Sequence, residues 1–212
     1  MFLLYRKKDR AFPESVKING KLYCINADFR NILRIFDMLD DGNIPEYKKI
    51  EKLAGWFFED VLNFPENIPP EIITETFIDF LRVNDKGTAA AVSECENNCE
   101  NGRQFCYNFD AGEIYAGFLS EYGIDLICAD FLHWHKFKIL LGNLSPDSAF
   151  KKKIELRFMD LSGLSTDGGR KFAELARAKE AVQLPDEFGI KESKELTEIN
   201  EFNEIWGKAG NN

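Results

Sequence analysis

Cys95, Cys99 and Cys106 come nearest to a chemistry that spacing can reveal. Structural zinc calls for paired short spacings such as C-x-x-C and a fourth ligand, because four donors must converge on one tetrahedral ion. Here the gaps are irregular and no histidine lies in the segment. Free thiols in a loop are the expectation. Cys24 and Cys128 fall within predicted elements and are expected as small core residues. His133 and His135 are the two histidines. On a helix, positions two apart point about 200° from each other, so a shared metal ion is not expected. Asp130, one turn before His133, could orient its ring. No serine or cysteine nucleophile stands beside that dyad in a recognisable motif. Gly168-Gly169 before Arg170 and Lys171 could bind an anion at a helix start, but it lacks the P-loop pattern and follows no predicted strand. Asp40-Asp41 and Glu59-Asp60 sit near predicted helix ends, whereas acid–base catalysis needs two carboxylates converging in a pocket. The residues therefore predict no catalytic, cofactor-binding or metal-binding side chain, no cofactor, and a protein that acts by contact.

Charge and size narrow the partners. The 212 residues carry a formal net charge of -9, with a pI near 4.9. Such a chain is repelled by phosphate backbones and anionic lipid, so neither nucleic acid nor a membrane is the expected partner. Arg6, Lys7, Lys8 and Arg10 make a basic start, Lys151 to Lys153 a small basic cluster, and the end beyond Asp186 is acidic. Basic runs of this length are usually solvated faces. A hydrophobic fraction of 44% suits a globular core, and 19 Phe against 3 Met favours fixed packing over a pliable Met-rich groove. Met1 to Tyr5 is too short for a secretory signal, and no stretch approaches a membrane span. Cytoplasm and reduced thiols follow.

The elements that would position these residues are mostly helices. The fold expected is mainly α: a compact helical domain of about six to seven helices with a short N-terminal β-hairpin. An N-terminal segment covers 1–14. The domain spans 15–185, with the hairpin at 15–26, helical halves at 27–83 and 109–185, and a flexible insertion at 84–108. A flexible acidic tail covers 186–212. In Ser15 to Asn26, alternating residues flank Asn19-Gly20, a two-residue turn in which both positions tolerate positive φ. A first helix runs from about Ala27 to Leu39 with Asn26 or Asp28 as its cap, and the stripe Phe29, Ile32, Leu33, Phe36 and Leu39. A second begins near Pro45 and carries Ile50, Leu53, Ala54, Phe57 and Val61. A third starts at Pro69-Pro70 with Ile73, Phe77, Phe80 and Leu81. A fourth starts at Asp110, with Glu113 in capping-box spacing, and stops at Gly123. A fifth, capped by Asp125, runs to about Leu141. Ser145-Pro146 opens a sixth with Phe150, Ile154, Phe158 and Leu161, and a seventh lies near Gly169 to Leu184. Leu196, Ile199, Phe202 and Trp206 give the tail a thin apolar stripe among glutamates, a pattern that folds on a partner.

The aromatic residues Tyr115, Phe118, Tyr122, Trp134 and Phe137 follow helical spacing and are by default core. Whatever part of that cluster stays exposed is the candidate surface for a partner helix or for self-association, since Tyr and Trp keep one polar end.

Particular words of the sequence add to this. Ile25-Asn26-Ala27-Asp28-Phe29-Arg30 follows the hairpin. Then come Asp110-Ala111-Gly112-Glu113-Ile114-Tyr115-Ala116-Gly117-Phe118, Tyr122-Gly123-Ile124-Asp125-Leu126, Leu132-His133-Trp134-His135-Lys136-Phe137 and Phe158-Met159-Asp160-Leu161-Ser162. With these motifs in this order, over most of Ser15 to Leu184, the chain resembles the "gene product fifteen" family of bacteriophage proteins, found in long-tailed phages and prophages of Gram-positive bacteria. The resemblance implies a role in virion morphogenesis in the cytoplasm of the bacterial host. Genes of such proteins lie between those of the tail tube and the tape measure, a position that implies a tail assembly chaperone. Its partners would be the tape measure protein and, in addition, the tail tube protein. The competing reading is a minor structural component of the tail. The resemblance transfers no catalytic residue, and it excludes the cysteine-bearing insertion and the acidic tail.

Overall fold

The computed structural model describes residues 12–59, 68–82, 104–162 and 169–185. The basic start, Asp60, Val61, Cys95, Cys99, Gly168 and the acidic tail lie outside the described residues. Among the described residues the chain forms one antiparallel hairpin and seven helices, and none of these helices is long and apolar enough to cross a membrane. By contacts they fall into two compact units. The described part of the first is 12–59, 68–82 and 130–139; that of the second is 104–129, 140–162 and 169–185.

The first unit starts with β1 (Ser15–Ile18) and β2 (Lys21–Cys24), paired so that Val16 faces Tyr23. Asn19 (φ 49°) and Gly20 (φ 85°) both take left-handed backbone, as the Asn-Gly turn predicts. A lone hairpin is marginal in water; here it continues into a bridge between Ile25 and Phe58. Tyr23 packs edge-on against Phe58 at 6.2 Å. Helix α1 (Phe29–Asp40) buries Phe29, Ile32, Ile35 and Met38. Helix α2 (Glu46–Phe57) starts after Pro45 and buries Leu53 and Phe57. Helix α3 (Pro70–Arg82) brings Phe77 and Phe80 to 5.1 and 5.3 Å from Phe57. Burying each such side chain contributes roughly 1.5–3 kcal/mol. Cys24, expected in the core, is exposed: it lies on the solvent side of a two-stranded sheet.

Asp28 is the joint of this unit. Its carboxylate accepts from the Arg30 amide at 2.9 Å, capping α1. It also accepts from the Arg30 guanidinium at 2.8 and 2.9 Å and from the Leu132 amide at 3.2 Å. Burial works against the charged form, but Arg30 and the two amides outweigh it and hold the carboxyl below its ordinary value. Asp28→Ala removes a cap and orphans a buried amide. It is expected to cost about 2–4 kcal/mol, read as a lower urea midpoint, while Asp28→Asn, which can still cap, is expected to cost less.

The second unit holds α4 (Ala111–Tyr122), which ends at Gly123 in left-handed backbone (φ 64°). Amides of Gly123 and Ile124 return to the Leu119 and Phe118 carbonyls, the αL-glycine closure expected of a helix C-terminus. Gly117 faces Leu144: a Cβ there would stand 3.0 Å from its side chain. Helix α5 (Trp134–Gly142) contains the unit boundary, after Ile139. Helices α6 (Ala149–Phe158) and α7 (Gly169–Val182) complete the unit.

Two helix starts differ from the sequence expectation. The fifth helix begins at Trp134. Residues 126–128 turn instead, and His133 bridges Asp28 in extended backbone. The reason is burial: Leu132, His133, Trp134 and His135 are all buried in succession, which a single helix face cannot do. The sixth begins at Ala149, capped by Ser148, which accepts from the Lys151 amide at 3.2 Å. Ser145 closes a turn just before it.

Candidate interaction surface

Of the five aromatic residues, Tyr115, Phe118 and Tyr122 lie on α4 in the second unit, and Trp134 and Phe137 in the first. Phe118, Trp134 and Phe137 are buried. Phe137 stacks on Phe29 at 4.7 Å, and Trp134 meets Phe36 edge-on at 5.5 Å. Phe118 meets Tyr122 edge-on at 5.7 Å. These three fill cores and present no surface in this state. Tyr122 is half-buried, and its hydroxyl donates to the Leu140 carbonyl at 2.9 Å. Tyr115 is half-buried and bonds the Asp125 carboxylate.

Two exposed apolar side chains, Leu119 and Ile127, lie in the same stretch of the second unit as Tyr115 and Tyr122, while Leu22, Tyr47, Phe131 and Phe158 are exposed elsewhere. Leu119, one turn beyond Tyr115, is 45% exposed and Ile127 is 76% exposed. Asp125 builds the turn that displays Ile127. Its Oδ1 accepts from the Ile127 amide at 2.9 Å and the Cys128 amide at 3.1 Å. Those two amides, that of Cys128 first, hold the Asp125 carboxyl below its ordinary value. Cys128, expected in the core, is exposed. The same Asp125 carboxylate raises its thiol pKa, first by hydrogen bonding and then by charge, so this is not an activated thiolate. Ile127 and Cys128 thus gather with Tyr115 about Asp125, and Leu119 lies one turn along α4 from Tyr115. Sequence periodicity missed Ile127 because it placed the residue inside a helix.

The ionisable clusters are committed to structure. Asp110 occupies the cap position of α4 but makes no side-chain cap bond, so the capping box is not formed. Its fully buried carboxylate pairs with Arg157, whose Nη1 lies 2.8 Å from Oδ2. It also pairs with Lys153 at 2.9 Å and accepts from the Cys106 amide at 3.0 Å. Burial would raise its pKa, yet these partners, Arg157 foremost, lower it on balance. Glu113, the other half of the expected box, takes Lys153 at 2.9 Å instead. Arg157 was invisible to a hydrophobic-stripe reading, which put Phe158 inward; Phe158 is 43% exposed and Arg157 is buried.

The histidines also depart from expectation. Because His133 precedes the helix and His135 lies in its first turn, their rings stack at 5.3 Å rather than diverging. The His135 amide donates to His133 Nδ1 at 3.2 Å, leaving the proton on Nε2, which meets the Pro13 carbonyl at 3.0 Å. Both ring nitrogens of His133 are therefore taken, and the Asp130 dyad is not formed. Among the described residues no group of three or more side chains is placed to hold a metal ion.

A family model described as Bacteriophage Gp15 protein matches residues 9–184. No curated protein and no solved structure matches the chain.

Proposed function

We propose, from the premise that the chain belongs to the bacteriophage Gp15 family, that it is a non-catalytic tail morphogenesis protein, a tail assembly chaperone. In this reading it binds the tape measure protein in the host cytoplasm and keeps it soluble while the tail tube polymerises. The family match over residues 9–184 carries the proposal. The described geometry supports it: buried carboxylate, guanidinium and histidines are spent on packing, while an apolar face stays open. A long apolar helix aggregates unless its stripe is covered, and a helical protein with an exposed apolar face can cover it. A net charge of -9 favours solubility of the coated partner. Many weak contacts hold the coat by multiplicity and let it leave as the tube grows.

Co-expression tests this. The soluble fraction of the tape measure protein is expected to rise several-fold with this protein, and the two are expected to co-purify. If they neither co-purify nor change the soluble yield, the chaperone reading fails. Peptide mapping of purified virions separates it from a structural component: a chaperone is expected to be missing there.

A further inference from the structure

We infer that the face made by Tyr115, Leu119, Ile127 and Cys128 is a docking surface for an amphipathic helix whose apolar stripe is flanked by lysine or arginine. This rests on the chaperone reading and names the surface and the chemistry of the segment it would take. The exposure of Ile127 is built in: two backbone bonds to Asp125 fix the turn that holds it out. Tyr115 lies close enough to the same carboxylate to interact with it, and Leu119 lies one turn along α4.

Charge selects the occupant. From Asp110 to Ala129 the chain has four carboxylates and no lysine or arginine. Asp110 and Glu113 are taken by Arg157 and Lys153. Asp125 lies against the face, and Glu121, which accepts from the Ser145 amide at 2.9 Å, ends the same helix. The C-terminus of α4 closes here too, adding the partial negative charge of its carbonyls. An apolar helix with acidic flanks is repelled by this rim, as is a second copy of this face; one with basic flanks is attracted.

Two exposed cysteines among the described residues supply the test. Cys128 belongs to the face, and Cys24, in the other unit, is the internal control. The full chain is alkylated with a maleimide and each cysteine followed by peptide mass spectrometry. One arm adds a helical peptide with a leucine stripe flanked by lysines, the other a peptide with the same stripe flanked by glutamates. The lysine peptide is expected to slow Cys128 modification roughly 10-fold or more and leave Cys24 unchanged, and the glutamate peptide to protect neither. Ile127→Glu, at an exposed position that the fold tolerates, is expected to weaken the lysine peptide by a similar factor. The inference is overturned by no protection of Cys128, by equal protection from both peptides, or by protection that rises with protein concentration alone. Co-expression separates the two claims. If Ile127→Glu binds the tape measure protein as wild type does, the surface is wrong and the chaperone reading stands. If wild type does not bind it, the chaperone reading falls and this inference with it.

Discussion

Arg157→Ala is expected to lower the unfolding free energy by about 3–5 kcal/mol, because it strands a buried carboxylate. Asp110 is fully buried and Arg157 nearly so. The guanidinium answers both carboxylate oxygens, and it also donates to the Gln104 and Val182 carbonyls. One side chain thus joins the start of α4, the segment before it and the end of α7. A typical domain has about 5–15 kcal/mol in total, so the loss removes much of the second unit's margin. Hydrogen exchange of α4 and α6 amides is the unit-specific measurement, and those amides are expected to lose most of their protection. Arg157→Lys keeps the charge but not the planar fork, so it is expected to rescue only part. The double variant Asp110→Leu with Arg157→Met is expected to be less damaging than the sum of its single changes, since neither charge is left alone. A loss below about 1 kcal/mol for Arg157→Ala would mean the pair behaves as a solvated surface bridge.

Acidification below about pH 6.5 is expected to destabilise the first unit through a buried histidine. Burial pushes His135 down to about 3, helped by the neighbouring His133 ring and by Lys138, with a hydrogen bond to the Phe80 backbone opposing. The ring lies against Phe80 at 4.8 Å and Phe12 at 6.2 Å, and its Nε2 has no hydrogen-bond partner among the described residues. The unfolded chain takes a proton near the ordinary value of 6.5, while the folded chain refuses it until about 3. The unfolded state therefore binds more protons throughout that window. Stability is full above it and falls as pH drops, by about 1.4 kcal/mol per pH unit. At pH 4 the expected loss from this residue is about 3 kcal/mol. His133, also lowered, chiefly by burial, adds in the same direction. In a His135→Leu variant the acid limb of the urea midpoint against pH is expected to flatten between pH 6 and 4, whatever the variant's stability at neutral pH. An unchanged slope would mean that the buried ring does not govern this limb.

The helical character, the hairpin and most helix positions were legible because their causes are local. Asn19-Gly20 favours left-handed backbone at two adjacent residues, Asp28 caps the helix beside it, Pro45 opens α2, and Gly123 ends α4. Of the stripe expected on α1, Phe29 and Ile32 are buried, while Ile35 and Met38 rather than Leu33, Phe36 and Leu39 complete the buried face. The exposed apolar side chains were less legible. The aromatic residues singled out by spacing include three that the folded units bury, and Ile127, the most exposed large apolar side chain among the described residues, looked like one more turn of helix.

What the chain's local patterning settled was the hairpin, the helical stripes, the acid balance and the order of motifs that marks the family. Packing decided the rest: the late start of α5, the stacked histidines, the exposure of Cys24 and Cys128, and the burial of Arg157 with Asp110. The physical reason is range. Turns and caps are made by atoms a few residues apart, whereas the Leu132 amide donates to a carboxylate 104 positions earlier. Asp110 finds its guanidinium 47 positions later. Such partners fix which polar groups can be buried, and so which apolar ones are left facing out.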